Sequence, residues 1–567
     1  SQNPHLTRLL ICAFVLGIPE NKLRVFSPDV GGGFGSKIYH YGEEALVLAA
    51  AKKLCRPVKW TASRSESFLT DAHGRDHVTK IELACEKDGT FVAFRTETMA
   101  NVGAYLSNFS TVTPTFLHGT LMAGNYTVPN VYVNVKAVFT NTAPVDAYRG
   151  AGRPEATYSL ERVIDKCARE LGLDPIALRR KNFIKPDQFP YSSAAGLEYD
   201  TGNYDALFDK LEEIADFDGF KSRRVESEKN GKLRGLGINS YIEACGIAPS
   251  NLVGVLGARV GLYDAATVRV NATGNISVMV GAHSHGQGHA TAFPQVVSEM
   301  LGVEESSVEI VHGDTAKIPF GMGSYGSRSL AVCGSAVVRA TEKIINKSRK
   351  IAAHMMEAAE EDIEFSDGAF RVSGTDKSVA FGEVAFKAYV PHDYPHDELE
   401  PGLEETAFYD PANFTYPAGA YACEVEVDPE TGQVKVDRFF AVDDFGNVIN
   451  PMIVTGQVHG GIGQGIGQAL FENCSYDENG QLLSASYMDY AMPRASDLPF
   501  YKVDHSCVTP CTHNPLGVKG CGEAGAIGSP PTIVNAIIDA LHSGGHTHVT
   551  HIDMPVSPAR VWSAINS

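Results

Sequence analysis

Six glycine-rich segments contain most of the side chains that could do chemistry in this chain. They lie at residues 31–37, 147–153, 285–289, 323–329, 456–467 and 517–525. The sixth carries Glu523, an acid that could serve as a general base, and the second carries Arg149, a cation that could stabilise developing negative charge. Glycines expose backbone N–H groups, which bind phosphate oxygens without a side chain in the way. The segments therefore predict a site for a polyanionic cofactor beside a reactive carboxylate.

Polar side chains between these glycines indicate the same chemistry. Gln287, Gln457 and Gln464 can each donate and accept hydrogen bonds, which suits the edge of a heterocycle or a metal–oxo group. The Ser-Arg-Ser triplet at 327–329 is typical of a phosphate contact. One such loop alone is more often a tight turn, but several of them in one acidic chain favour a shared binding site.

Familiar nucleotide and hydrolase motifs are absent from the sequence. No segment has the Gly-Lys-Ser/Thr of a Walker A loop at the required spacing. None places G-x-G-x-x-G between a clear strand and helix with an acid about 20 residues further on. No G-x-S-x-G elbow surrounds the serines at 327 and 329, so neither is expected to be a hydrolase nucleophile.

Several of these residues also have simpler interpretations. Glu523 precedes a predicted helix and could be an N-terminal capping acid, and Arg149 and Arg153 could be surface arginines. Histidines cluster at 283–289 and 542–551, but neither cluster has H-E-x-x-H or a cysteine at zinc spacing. We therefore expect loop histidines with satisfied hydrogen bonds, and a zinc hydrolase stays open as one alternative function.

Hydrophobic periodicity predicts the elements that must position the glycine segments. Helices are predicted at 43–55, 155–172, 174–182, 290–302, 334–358, 456–473 and 530–542. Hairpins are predicted from 77–85 with 90–100, from 268–271 with 276–280 and from 424–427 with 433–442, and a short strand from 58–61. Helices and hairpins mix without strict βαβ alternation, so the predicted fold class is α+β.

Composition and charge exclude several classes of protein. The chain has 567 residues, 44% of them hydrophobic and 20% charged, which is ordinary for globular domains. A net charge of −19 argues against nucleic acid or an anionic membrane as a main partner. The longest apolar run, 9–18, is half of the roughly 20 residues that a membrane span needs, so it predicts a buried helix. The chain opens on a polar pentapeptide, and we expect no charged leader.

The eleven cysteines are scattered and never spaced C-x-x-C. The closest pair is Cys507 and Cys511, and this spacing is neither a disulfide framework nor the cluster of an iron–sulfur or zinc site. We therefore expect reduced, mostly buried thiols in a cytoplasmic protein. If the chain does redox chemistry, its iron–sulfur centre lies on another chain.

Taken in order, the glycine segments resemble those of the molybdopterin-binding large subunit of the molybdenum hydroxylases, the xanthine oxidase family. They are most similar to the aerobic carbon monoxide dehydrogenase type of large chain. The motifs that carry the resemblance are G-G-G-F-G at 31–35, A-Y-R-G at 147–150, G-Q-G at 286–288 and G-V-K-G-C-G-E at 517–523. The resemblance covers essentially the whole chain.

The resemblance implies two elongated molybdopterin-binding domains with the cofactor at their interface. We expect the first, which lacks its N-terminal part, at 1–187, a linker at 188–204 and the second at 205–567. The implied cofactor is molybdenum–molybdopterin cytosine dinucleotide. An iron–sulfur small subunit with [2Fe-2S] centres and a medium subunit with FAD are the implied partners, in a dimer of heterotrimers.

The implied activity is that of a molybdopterin-dependent oxidoreductase. Such an enzyme inserts oxygen from water into a C–H bond of an N-heteroaromatic, purine-like or aldehyde substrate and passes two electrons to its partners. A carbon monoxide dehydrogenase large chain and a cofactor-free assembly subunit are the alternatives. No side chain is expected to ligate molybdenum directly, because the pterin dithiolene holds the metal.

The resemblance also assigns individual residues. Glu523 matches the glutamate beside the metal, where an anionic centre should raise its pKa, and Arg149 matches the arginine of the substrate-side loop. Glu243 lies near a stretch that contacts substrate in the family. The expected cofactor-binding residues are Gly33, Phe34, Gly35, Gly150, Gln287, Gly288, Ser327, Arg328, Ser329, Gln457, Gln464 and Gly522.

Two positions depart from better-known members of the family. Carbon monoxide oxidisers carry cysteine at the position of Gly150, where its thiolate binds copper, and glycine has no side chain to do so. Purine oxidisers carry phenylalanine at the position of Ala151. The sequence therefore disfavours carbon monoxide as the substrate and predicts a roomier pocket than a purine site.

Overall fold

The computed structural model describes residues 1–247, 249–255 and 260–567. It contains helices and mainly antiparallel sheets without regular βαβ alternation, so the α+β prediction is confirmed. The α-helices are Pro4–Leu10, Gly42–Leu54, Arg64–Thr70, Arg153–Leu171, Pro175–Asn182, Tyr204–Ala215, Phe217–Lys229, Ser250–Val255, His289–Leu301, Ser335–Met356, Phe381–Tyr389, Pro451–Leu470, Ala524–Ser543 and Pro558–Asn566.

The strands form five small sheets, and all three predicted hairpins are present. In spatial order, the strands are His77–Cys85, Phe91–Asn101 and Asn130–Val138 in the first sheet; Glu404–Tyr409, Asp264–Val270, Ile276–Val280 and Val308–Val311 in the second; Tyr501–Asp504, Val434–Asp444, Ala418–Val427 and Leu233–Ile242 in the third; Ile363–Ser366, Ala369–Val372 and Ser378–Ala380 in the fourth; and Tyr191–Ser192 and Glu198–Tyr199 in the fifth.

The third sheet is central because both of its faces are buried. Successive side chains of a strand point to opposite faces, and along Ala418–Val427 they alternate between two hydrophobic clusters. One cluster packs helix Arg153–Leu171 and the first sheet against one face. The other packs helices Pro451–Leu470 and Ala524–Ser543 against the opposite face. The helices that flank the glycine segments are thereby fixed on a rigid layer.

Helix Ala524–Ser543 holds the end of the sixth glycine segment against this sheet. The helix begins at Ala524, six residues before its predicted start. Pro530 and Pro531 lie inside it, and proline is usually confined to a first turn, which is why the sequence predicted a later start. Residue 523 therefore sits directly at the N-terminus of a buried helix.

Two other predictions of local structure are wrong. Residues 58–61 are irregular rather than a strand. The apolar run at 9–18 is helical over Pro4–Leu10 and Ile11–Leu16, but it is not buried throughout, since the side chain of Phe14 is 79% exposed. Within the described residues, no helix is both long and apolar enough to cross a membrane.

The predicted linker at 188–204 is an ordered part of the core. Its two short strands, Tyr191–Ser192 and Glu198–Tyr199, pair with each other, and Leu197 and Tyr199 are buried among the residues of the first large hydrophobic cluster. All eleven cysteines lie in described residues and are free, and five of them are fully buried.

Candidate active site

All six glycine segments meet at one cavity of about 750 Å³. It lies between residues of the first 151 positions and residues from 247 onward. The predicted site residues that line it are Phe34, Gly35, Arg149, Gln287, Ser327, Arg328, Ser329, Gln457, Gly522 and Glu523. Segments far apart in sequence thus form a single site, as the sequence predicted.

Glu523 is held at the cavity wall by three hydrogen-bond donors. Its Oε1 accepts the amide of Gly150 at 2.8 Å, and its Oε2 accepts Nη2 of Arg153 at 2.6 Å and Oγ of Ser327 at 3.0 Å. Glu523 occupies the N-cap position of helix Ala524–Ser543, but its side chain makes no capping bond within the described structure. The alternative of a simple capping acid is therefore wrong.

A second buried carboxyl group, that of Glu243, lies beside the same nitrogen of Arg153. Nη2 of Arg153 also donates to Oε1 of Glu243 at 3.2 Å, and the side chains of Arg153 and Glu243 have no exposed surface. One guanidinium therefore bridges Glu523 and Glu243. Arg153 is therefore not a surface arginine, and its role in the site was not predicted. Its place in the motif A-Y-R-G-A-G-R-P-E was the available signal.

The two carboxyl groups have opposite pKa shifts. Burial raises the pKa of Glu523, but the charge of Arg153 and the Gly150 amide outweigh burial, so the pKa falls below its usual value. Burial dominates at Glu243 and, with the repulsion of Glu523, raises its pKa to about 8 against the attraction of Arg153. The predicted rise in the pKa of Glu523 concerned an anionic metal centre beside it and stays a prediction, while the protein's own groups shift this pKa in the opposite direction.

Arg149 is buried and connects three of the glycine segments, so it is not a surface arginine. Its Nε donates to the carbonyl of Gly522 at 2.6 Å, its Nη1 to Oε1 of Gln464 at 2.9 Å and its Nη2 to the carbonyl of Gln457 at 3.0 Å. Every guanidinium nitrogen is thus bonded to the protein. The central carbon of the Arg149 guanidinium, Cζ, lies 5.7 Å from the centre of the Phe34 ring.

The first and second segments are in backbone contact. The amide of Arg149 donates to the carbonyl of Phe34 at 2.9 Å. Gly35 has φ +109°, and a Cβ built there would lie 2.3 Å from the carbonyl oxygen of Ala147, so only glycine allows this approach. Phe34 remains 48% exposed at the cavity.

The polar side chains of the other segments are partly engaged with the protein. Oε1 of Gln287 accepts the amide of His285 at 2.7 Å, and Arg328 forms a buried ion pair with Asp264 at 3.1 Å. Oγ of Ser329 donates to Oγ of Ser324 at 2.9 Å. Their predicted contacts to a cofactor remain predictions.

Four predicted residues lie just behind the cavity wall rather than on it: Gly33, Gly150, Gly288 and Gln464. The Gly150 amide donates a hydrogen bond to Glu523, and the Gln464 side chain accepts one from Arg149. Both therefore contact a residue that lines the cavity. A Cβ at Gly33 would overlap the side chain of Gln2, and one at Gly288 would overlap Ile453. These glycines allow close packing behind the cavity.

Some polar groups at the cavity have no partner among the described residues. They include Oη of Tyr325 and Nδ1 of His289, both buried. Cβ atoms built at Gly286 and Gly456 would meet no described atom within 4 Å. The cavity therefore has free hydrogen-bonding groups and bare backbone, which a polar ligand would need.

Neither histidine cluster brings three metal-ligating atoms together in the described part of the chain.

Comparisons with known proteins show relatives along the whole chain. Residues 1–183 match a family described as a molybdopterin cofactor-binding domain, and residues 210–499 match a second family with the same description. The carbon monoxide dehydrogenase large chain of Hydrogenophaga pseudoflava is 40% identical over 574 residues, which are 100% of this chain and 70% of the relative.

Two further relatives act on aromatic heterocycles according to their names. The nicotine 6-hydroxylase large subunit of Paenarthrobacter nicotinovorans is 35% identical, over 100% of this chain and 68% of its own length. The crystal structure of quinoline 2-oxidoreductase from Pseudomonas putida 86 superposes with a TM-score of 0.95 at 36% identity, covering 100% of this chain and 72% of that one.

Proposed function

Because this chain belongs to the molybdopterin-binding large subunits of the molybdenum hydroxylase family, and so is part of a molybdopterin-dependent oxidoreductase, we propose that it hydroxylates a C–H bond of a neutral N-heteroaromatic substrate. The observation that carries this proposal is the placement of Glu523 in a cavity with largely apolar walls. Those walls include Leu6, Ile38, Val112 and Leu262. Such walls suit a planar, uncharged ring.

The residues at the cavity fit a molybdopterin. Gly286 and Gly456 leave space beside bare backbone, where a phosphate or pterin edge can approach. Tyr325 and His289 offer polar atoms that no described group satisfies, and a buried polar atom needs such a partner. We propose that these residues, with Gln287 and the 327–329 triplet, hold the pterin and its cytosine dinucleotide tail.

Glu523 is the general base of the proposed reaction. When bound, the molybdenum cofactor supplies the transferred oxygen and accepts two electrons. Among the residues that the structure describes, Oε1 of Glu523 accepts one hydrogen bond, from Gly150, which leaves a lone pair for a proton. Its lowered pKa leaves the carboxylate ionised, and therefore able to accept that proton, at neutral pH.

Arg153 allows the two buried carboxyls to share one negative charge. At neutral pH Glu523 is ionised and Glu243, with a pKa of about 8, is protonated. A proton that arrives on Glu523 cancels its repulsion of Glu243 and leaves Arg153 without an ionised partner, so it lowers the pKa of Glu243. When Glu523 takes up a proton, Glu243 can therefore release one more easily. The net charge of the buried site then changes less, which lowers the free-energy cost of protonating Glu523.

Arg149 positions the active site from behind. Its four hydrogen bonds to the segments at 456–467 and 517–525 fix the loop that carries Glu523. Arg149 lines the cavity, with its central guanidinium carbon 5.7 Å from the centre of the Phe34 ring, and its charge would stabilise negative charge that develops on the substrate.

Carbon monoxide is the disfavoured alternative substrate. A Cβ built at Gly150 would lie 2.3 Å from Cγ of Pro154 and 3.3 Å from Cγ1 of Ile527, and φ at this glycine is +103°. A cysteine here would require the backbone to move, and its side chain would start toward Pro154. The local structure thus gives a second reason, besides the missing thiol, against a copper thiolate.

The proposed partners follow from the names of two relatives, a carbon monoxide dehydrogenase large chain and a nicotine 6-hydroxylase large subunit, which imply smaller subunits beside them. We propose an iron–sulfur small subunit and an FAD medium subunit, in a cytoplasmic dimer of heterotrimers.

The test of the proposed function is a substrate screen with an artificial dye as electron acceptor, using complex of measured molybdenum content. We expect turnover of pyridine- or quinoline-type rings. Complex without molybdenum would support the assembly-subunit alternative, and turnover of carbon monoxide alone would refute the proposal.

A further inference from the structure

A cluster of metal-ligating side chains lies outside the cavity. Asp200, Cys511 and His513 place one ligand atom each within 4.8 Å of one another, and no other such group occurs in the described residues. Cys511 and His513 belong to the loop that leads into the segment at 517–525, while Asp200 directly follows strand Glu198–Tyr199. The cluster therefore joins two parts of the chain that are about 310 residues apart.

Two buried atoms of this cluster lack hydrogen-bond partners. Oδ2 of Asp200 accepts the amide of Thr512 at 3.0 Å, but Oδ1 has no partner among the described groups, although the side chain is only 8% exposed. Nδ1 of His513 is likewise buried and unpartnered. A buried polar group normally has a hydrogen-bond partner, so these two unpartnered atoms indicate a ligand.

The tautomer of His513 is set by a neighbouring carbonyl. Its Nε2 lies 2.8 Å from the oxygen of Phe414, which can only accept, so Nε2 carries the proton and Nδ1 presents a lone pair. A hydrogen bond from the second ring nitrogen to a carbonyl is the usual arrangement around metal-binding histidines. Cys511 is free and only 5% exposed.

We propose that Asp200, Cys511 and His513 form a structural site for one divalent transition-metal ion, zinc by preference. Zinc binds sulfur at about 2.3 Å and nitrogen or oxygen at about 2.0–2.2 Å. One ligand atom of each residue lies within 4.8 Å of the others, and side-chain rotation would bring Nδ1 of His513 to the ion, since Nε2 is the ring nitrogen that lies 3.9 Å from Oδ2 of Asp200. A mixed set of thiolate, imidazole and carboxylate suits zinc better than the hard ions magnesium and calcium, and a water molecule completes the tetrahedron.

Binding would be coupled to proton release. Burial, together with the charge of Asp200, raises the pKa of the Cys511 thiol to about 11, so the free thiol is protonated at neutral pH. The ion takes the thiolate, and the proton leaves to solvent.

The site would anchor the loop that carries the catalytic base. The amide of Cys511 donates to the carbonyl of Gly517 at 3.1 Å, and Nζ of Lys519 is paired with Asp444 at 2.8 Å. A metal at Cys511 would add a link from this loop to the segment around Asp200. This role is structural and does not depend on the proposed hydroxylase activity.

The test is metal analysis of the intact purified complex. We expect about one zinc per large subunit in addition to molybdenum, and zinc K-edge X-ray absorption with one sulfur ligand near 2.3 Å. The double variant Cys511→Ser, His513→Ala should lose this zinc. Its matched control, Cys507→Ser with His505→Ala, changes the same residue types at the same spacing in the same loop and should retain it.

Three results would overturn the proposal. They are a wild-type complex that contains no zinc and takes up none from added zinc chloride, a zinc absorption spectrum without sulfur, and equal zinc content in the double variant and wild type. The absorption measurement uses only the wild-type complex, so it decides the question even if the double variant does not fold. Loss of hydroxylase activity plays no part in this decision.

Discussion

Glu243→Gln isolates the effect of the second buried carboxyl group. The substitution keeps the shape of the side chain and an oxygen that accepts the hydrogen bond from Arg153, but it cannot ionise. In the wild type, Glu243 loses its proton as the pH rises through about 8. The variant therefore removes one negative charge above pH 8 and leaves the charge of the site unchanged below pH 7.

The size of the effect follows from the geometry around Arg153. Both carboxyls contact the same nitrogen, at 2.6 and 3.2 Å, so their nearest oxygens are at most about 6 Å apart. At an effective dielectric constant of about 20, one added charge at this distance is worth about 3 kcal/mol, or about two pKa units on Glu523. Because the pKa of Glu523 begins below its usual value, the carboxylate stays ionised and becomes a stronger base.

The assay is the rate of enzyme reduction by substrate, per molybdenum, from pH 6 to 10. We expect the wild-type rate to rise by up to roughly tenfold across pH 8, and the rise to be absent in Glu243→Gln. Infrared difference spectra between pH 7 and 9 should show loss of a neutral carboxylic acid in the wild type alone. A variant with the same pH profile and the same carboxyl band as wild type would refute this account of Glu243.

Two further substitutions test the packing behind the cavity. Gly150→Ala should destabilise the chain by about 1–3 kcal/mol, because φ is +103° and the new Cβ would meet Pro154 at 2.3 Å; an unchanged melting temperature of the complex would contradict this. Arg149→Lys should retain molybdenum but lower turnover tenfold or more, since one ammonium cannot reach both Gly522 and Gln464 as the guanidinium does. Full turnover by that variant would show that the separate hydrogen bonds of the Arg149 guanidinium to Gly522 and Gln464 are not needed.

The sequence predicted the site well where one loop carries its own signal. Glycines mark close backbone approaches, such as that of Gly35 to Ala147, and a local motif is enough to identify them. The sequence did not predict the ion pairs that join distant segments. Arg153 meets Glu243 and Glu523 across 90 and 370 positions, and periodicity carries no information about such distances. The lowering of the pKa of Glu523 by Arg153 was not predicted for the same reason.

The fold was predictable to a similar extent. Hairpins with polar turns and helices with one apolar face follow from local pattern, whereas helix Ala524–Ser543 depends on tertiary packing that overrides two prolines. The apolar run at 9–18 was predicted to be buried, yet Phe14 is exposed, because hydrophobicity alone does not show which face a protein covers. The Asp200 cluster was missed since its members are not adjacent in sequence.

Turnover of Glu523→Gln at measured molybdenum content is the most direct test of the central claim, that this carboxylate is the base at the cofactor cavity. The amide keeps an oxygen for the Gly150 hydrogen bond, so the cavity should persist and molybdenum should be retained. We predict a loss of about 10²-fold or more in the rate of substrate hydroxylation. A variant that holds its molybdenum and turns over substrate at close to the wild-type rate would contradict the mechanism.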